Sequence, residues 1–151
     1  MTMNATAAAG SSLAVSSVYV CRADYANSAH GAALVHVLDA YAQDPMGGAH
    51  PLSDFAKANL VASLAARPQA YSVLAFDGEL PVGLVNCIEG FSTFACRPLV
   101  NVHDVAVVAS HRGQRVAEKM LVMAESLAIA RGACKLTLEV LQGNVGADRL
   151  Y

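Results

Sequence analysis

The stretch from Leu99 to Leu141 limits the possible folds more than any other part of the chain. It opens with "LVNVHDVAVV" (99–108), apolar enough to be a central strand covered on both faces. From about Gly113 to Arg131, Val116, Met120, Met123, Ala124 and Leu127 recur at helical spacing, and Gly132 is a good C-terminal stop. "KLTLEVL" (135–141) then reads as another strand. Strand, helix and strand in this order make a βαβ unit, so the domain is a mixed α/β one.

Upstream, "SSVYVCRA" (16–23) alternates like a first strand. From Asn27 the spacing turns helical, with Leu34, Val37, Leu38 and Tyr41 on one stripe, until "DPMGGAHP" (44–51) breaks it. A second helix starts at Ser53, whose hydroxyl can cap free amides, with Asp54 favourable against the dipole. Phe55, Leu60, Val61 and Leu64 form its apolar face, and Arg67-Pro68 ends it. "YSVLAF" (71–76) and "PVGLVNCI" (81–88) flank Asp77-Gly78, a hairpin signal. "EGFSTFACRP" (89–98) reads as a polar-aromatic connection, and "NVGADRLY" (144–151) as a last helix capped by Asn144. The expected order is β-α-α-β-β-β-α-β-α.

At 151 residues and 15.7 kDa the chain makes one domain, residues 16–151, behind a flexible tail over residues 1–15. No apolar run approaches the ~20 residues that span a bilayer, and the tail lacks the layout of a secretory signal. Cys21, Cys87, Cys96 and Cys134 are widely spaced, without a C-x-x-C pair or zinc-finger histidines. Reduced thiols in a cytoplasmic protein, with no metal, are the expectation. A net charge of −2 and a pI near 6.2 argue against nucleic acid as a partner. The charge is uneven: Arg112, Arg115, Lys119, Arg131 and Lys135, five of the ten basic residues, face only Glu118 and Glu125 in one stretch. That excess suits a small anionic ligand.

The segment "VHDVAVVASHRGQRVAEKML" resembles the acyl-CoA-binding motif of the GNAT N-acetyltransferase superfamily, whose turn has the form Arg/Gln-x-x-Gly-x-Gly/Ala. Arg112 opens the match, Gly113 and Gln114 follow, Arg115 stands in a glycine place, and Val116 precedes the closing small residue Ala117. "NVGADRLY" is similar to the family's later Asn-x-x-Ala-x-x-Leu-Tyr segment, and the order of elements agrees from residue 16 onward. The resemblance implies a central mixed, largely antiparallel sheet flanked by helices, an α/β (α+β) architecture. Two further strands usual in the family have no counterpart before Tyr151, so the domain as given is C-terminally short: either the sequence is cut there, or a partner chain, as in the expected homodimer, covers the sheet edge.

A helix N-terminus offers unpaired N–H groups and partial positive charge, which suits a diphosphate. Within the family reading, residues 112 to 117 donate to the diphosphate of acetyl-CoA, and the backbone of Val105 and Val107 pairs with its pantetheine arm. Arg115 poses two alternatives. If glycine serves close approach, an outward side chain is accommodated; if positive φ is required, a long side chain is penalised.

Acetyl transfer to an amine needs a deprotonated amine and a proton for the departing thiolate. Deprotonating an alkyl amine at neutral pH costs roughly 4 kcal/mol, so a positioned base is needed. Asp104 is the first choice for that base and His103 the second; as strand neighbours they face opposite sides. A loop-capping aspartate and a core histidine are the structural alternatives. Tyr151 matches the family's general acid, and Asn144 is a helix cap that can also touch pantetheine. For the acceptor amine the family pattern points to Asp44, Met46, Gly47, Glu89, Phe91, Ser92 and Phe94, with the two acids holding an ammonium and the Phe pair lining a tunnel. The "HD" pair resembles the Glu-Asp pair of the polyamine acetyltransferase branch, a hint toward a small primary amine such as a polyamine or an amino-acid-like amine. A protein or peptide N-acetyltransferase and a non-catalytic CoA-binding module are the alternative functions.

Overall fold

A computed structural model describes residues 17–138. Five strands form one sheet in the order β1 (Val18–Arg22), β2 (Ala70–Asp77), β3 (Leu80–Ser92), β4 (Arg97–Val107) and β5 (Leu136–Leu138). The first four pair antiparallel, and β5 pairs parallel with β4 over Val100–Val102. Helices α1 (Ser28–Gln43) and α2 (Asp54–Ala65) join β1 to β2, and α3 (Val116–Ala130) is the crossover from β4 to β5. The rest of the strand expected over 135–141, and the helix expected over 144–151, lie outside the described residues.

The helices start where the sequence provides caps. Asn27 Oδ1 accepts from the amides of Ala29 (2.9 Å) and His30 (3.1 Å), and Ser53 Oγ accepts from Ala56 (3.1 Å). Period-two alternation sends the two faces of β2 into different cores. Tyr71, Val73 and Ala75 join Val116, Met120 and Ala124 of α3, while Leu74 and Phe76 join Leu34 and Val37 of α1. Gly83 is where α3 comes closest to β3: a Cβ there would lie 2.8 Å from the sulfur of Met120.

Several expectations are corrected. Residues 89–98 are not a loose connection, because β3 runs to Ser92 and β4 starts at Arg97, leaving a turn over 93–96. A two-stranded ribbon that projects beyond the core needs no apolar side chains, so its pattern resembles a loop. Asp77 belongs to β2, and the hairpin turns on Gly78 and Glu79, with Gly78 at φ 62°. Phe55 faces solvent at 77% exposure, whereas Leu60, Val61 and Leu64 pack against the core. Finally, α3 begins at Val116 rather than near Gly113.

One irregularity matters for the site. Asn86 pairs with Asp104 and Cys87 with Val102, so His103 is an extra residue, a β-bulge in β4. Below it Val100 and Val102 face the α3 core; above it Val105 and Val107 do. The bulge therefore leaves Asp104 and Ala106 on the α1 face.

Candidate active site

Between β4 and α3 the chain makes a 3-10 turn over Ala109–His111 and then passes through two left-handed residues, Gly113 at φ 77° and Arg115 at φ 63°. The first bond into α3 runs from the Lys119 amide to the Arg115 carbonyl, 3.1 Å, and the Arg115 side chain caps nothing. The amides of residues 113–118 consequently donate to no acceptor among the described residues. Arg112, Gln114 and Arg115 are exposed, while Val116 is buried and Ala117 half-buried, so the last two offer only backbone. The question posed by Arg115 is answered by conformation: its position requires positive φ, which costs a non-glycine residue about 1 kcal/mol. Its guanidinium lies 3.3 Å from Glu118 on the exposed surface.

The turn is held from two sides. His111 Nε2 lies 2.8 Å from Asp77 Oδ2, and its Nδ1 2.8 Å from Ser110 Oγ. The Ser17 hydroxyl donates to the other Asp77 oxygen (2.8 Å), and these bonds, His111 foremost, hold Asp77 below the usual carboxylate range. On the other side Arg112 donates from Nε to the Val107 carbonyl and from a terminal nitrogen to Asp44 Oδ2, both 3.0 Å. Asp44 also accepts from the Met46 amide, and this bond with the Arg112 bond keeps its carboxyl below the ordinary range. The His111–Asp77 clasp escaped sequence reasoning because Asp77 looked like a turn residue and its partner lies 34 positions away.

Beside the turn, the Val108 amide donates to the Val82 carbonyl, 2.9 Å. In an antiparallel ladder the residues alternate, so the amides and carbonyls of Val105 and Val107 point away from β3, toward the edge on the β5 side. The Arg112 bond to the Val107 carbonyl agrees with that orientation.

Across the α1 face of the sheet runs a row of polar side chains. The Tyr25 hydroxyl is 2.8 Å from Ser72 Oγ, Ser72 Oγ donates to Asn86 Oδ1 at 2.6 Å, and Asn86 Nδ2 donates to Asp104 Oδ2 at 3.1 Å. Ser72 and Asn86 are the two buried polar residues of the described core. Asp104 accepts only, so Asn86 must present its amide nitrogen to it; Ser72 must then donate to Asn86, and Tyr25 to Ser72. Asp104 Oδ1 has no partner among the described residues. Tyr41 of α1 lies within electrostatic reach: burial, then the carboxylates of Asp104 and Asp44, push its phenol upward. Asn101, also in β4, donates to Thr137 (2.9 Å), yet its Oδ1 is buried with no donor among the described residues. His103 is exposed at the bulge.

The expected acceptor residues fall into two groups. Asp44 borders a cleft of about 280 Å³ with Val37, Tyr41, Ala106, Val108 and Arg112, and Met46 is exposed in the adjoining turn. Glu89 instead pairs with Arg131 at 3.0 Å, and Phe91 and Phe94 stand exposed at the β3–β4 hairpin tip, where Ser92 Oγ accepts from the Ala95 amide. Glu89 lies six residues along β3 from Gly83, which pairs with Val107 at the Arg112 end, or roughly 20 Å. The structure does not bring the two carboxylates together, and each already faces an arginine. Asn144 and Tyr151 lie outside the described residues.

All four cysteines are free, and burial pushes the Cys87 thiol up to about 12. Among the described residues no group of three or more His, Cys, Asp or Glu is arranged to hold a metal, and no helix is long and apolar enough to cross a membrane.

The four-stranded meander, the parallel fifth strand, the crossover helix and its uncapped start together define the acetyltransferase fold. The family model described as "Acetyltransferase (GNAT) family" matches residues 34–151, and the chain belongs to that family. Solved structures agree in fold. A transcriptional regulator from Bacillus halodurans C-125 superposes with TM-score 0.75 at 17% identity, covering 89% of each chain. An aminoglycoside acetyltransferase from an uncultured soil metagenomic sample gives 0.73 at 15% identity, covering 89% of this chain and 84% of its own. The ribosomal-protein-alanine N-acetyltransferase of Brucella melitensis biovar Abortus 2308 gives 0.69 at 19%, covering 89% and 87%. No curated protein matches the sequence.

Proposed function

We propose that this chain is an acetyl-CoA-dependent N-acetyltransferase acting on a small primary amine. The observation that carries the reading is the run of amides at residues 113–118 with no acceptor among the described residues, beside the outward-facing backbone of Val105 and Val107. Consecutive amides at a helix start suit a diphosphate, and an open strand edge suits an amide-bearing arm. Bound there, acetyl-CoA supplies the thioester whose acetyl group goes to the amine.

The chain's own groups then have distinct tasks. Asp104, fixed through Oδ2 by Asn86, takes the ammonium proton on its free Oδ1. The orphan Oδ1 of Asn101, on the same strand, accepts an N–H of the amine. Tyr151 protonates the departing thiolate. Asn86, locked in orientation by Ser72, is a positioning residue. The cleft beside Tyr41 and Asp44, about 280 Å³, has room for a small acceptor. Structural relatives named for aminoglycosides and for a ribosomal protein span both acceptor sizes and do not decide between them.

Calorimetric titration with acetyl-CoA, followed by thiol release across a panel of polyamines, amino-acid-like amines and N-terminal peptides, tests the reading. Binding with turnover on small amines is expected. Absence of CoA binding sinks the proposal, and turnover confined to peptides moves the acceptor to the protein class.

A further inference from the structure

At the other end of α3 from the turn, the end of β1, the loop into α1, and the residues that follow α2 and α3 border an open cavity of about 480 Å³. Fifteen helical residues separate the two places, roughly 22 Å. Three guanidinium groups border the cavity, those of Arg22, Arg67 and Arg131. Arg67 donates once, to the Ser63 carbonyl at 2.8 Å. Arg131 lies 4.6 Å above the Tyr71 ring and uses one terminal nitrogen for the Pro68 carbonyl (3.1 Å) and Glu89 (3.0 Å). Arg22 has no hydrogen bond or ion pair among the described residues. With five donors on each group, most of the hydrogen-bonding capacity remains unused.

Counter-charge is scarce. Asp24 is the one carboxylate in the lining, and its Oδ1 is turned back to the Ala26 amide of its own loop, 2.9 Å. Glu89, outside the lining, offsets Arg131. Neither Arg22 nor Arg67 makes an ion pair among the described residues. Burial raises the Tyr25 phenol while its bond to Ser72 and the charges of Arg22 and Arg131 pull it back, so both cations lie within electrostatic reach of that hydroxyl. Leu64, Ala65 and Ala70 supply an apolar wall. Like charges gathered along one open wall repel, and an anion that accepts from forked guanidinium donors relieves that repulsion.

We propose that this cavity binds a small oxyanion, a carboxylate or phosphate group on a compact organic body, held by Arg22, Arg67 and Arg131. The site is separate from the turn before α3. Its ligand touches Tyr25, the first member of the row that ends at Asp104.

Amide-resolved NMR titration of the full chain with inorganic phosphate and with succinate tests this. The resonances of Arg22, Tyr25, Ala26 and Arg67 should shift with at least one probe. Arg22→Gln, a change at a side chain with no bond to lose, should weaken binding about tenfold or more, while Arg112→Gln in the turn leaves it unaltered. The tighter probe distinguishes a phosphoryl from a carboxylate ligand. Immobile resonances with both probes, equal affinity in Arg22→Gln, or loss of the shifts only in Arg112→Gln would overturn the proposal.

Discussion

On one side of β2, Tyr71, Val73 and Ala75 meet the buried stripe of α3; one residue along, on the other side, Ser72 begins a chain of hydrogen bonds that ends on Asp104. Both faces use the same strands. The α3 face is apolar apart from the Cys87 thiol and the Tyr71 hydroxyl, which donates to the Ala124 carbonyl at 2.9 Å. The α1 face interrupts its apolar core with two buried polar side chains, each fully partnered. Burying polar groups brings little net stability even when they are bonded, and costs about 1–3 kcal/mol when they are not. The difference teaches that the α3 face is the more uniformly apolar of the two, while the α1 face gives up some apolar burial to a polar row that ends on the Asp104 carboxylate.

Substitutions at four positions can break or sharpen this comparison. Asp104→Asn should lower kcat by roughly 10²- to 10⁴-fold, with the melting temperature and CoA affinity nearly unchanged; a kcat near wild type in steady-state thiol release removes Asp104 as the base. On the opposite face, Met120→Ala should cost about 2–5 kcal/mol by denaturant titration, since Met120 is fully buried against Gly83. A loss below 1 kcal/mol would mean that the α3 core collapses to fill the space. Ser72→Ala should cost about 1–3 kcal/mol by leaving Asn86 Oδ1 without a donor, and should also lower kcat at constant CoA affinity. Ser72→Thr, which keeps the hydroxyl, should restore kcat; a kcat indifferent to both changes makes the row purely structural. Smallest is Arg115→Gly, which should stabilise the fold by about 1 kcal/mol through its positive φ. CoA affinity should stay within roughly threefold, because the exposed pair with Glu118 contributes little. A loss beyond tenfold in calorimetry would instead make the guanidinium a phosphate ligand.

Much of this was legible in the residues. Leu34 and Val37 of α1, and Val116, Met120 and Ala124 of α3, are buried as their spacing indicates, because amphipathic periodicity is a direct record of which side meets a core. The turn motif and Asp104 also stood out. The partners did not. Ser72 and Asn86 interrupt apolar strands, which is a signal, but nothing local says that a serine and an asparagine fourteen positions apart share a hydrogen bond. Arg115 illustrates the same limit for the backbone, since a side chain's identity does not state the φ its neighbours impose. The acceptor residues were least legible: Asp44 and Glu89 are acidic and near loops, yet their arginine partners come from distant elements.

The bulge at His103 has a further consequence. In a strand, odd and even positions keep their sides, so a face can be assigned by counting; here the count changes sign at one residue. An unbulged β4 would carry Asp104 onto the same side as Val102, into the hydrocarbon beneath α3, and would turn Val105 and Val107 toward α1. The length of β4 thus decides which core each of its upper side chains meets. Gaining or losing one residue between Val102 and Asp104 would exchange the two sides of half a strand, and with them the core that the Asp104 carboxylate meets, without altering a single chemical group there.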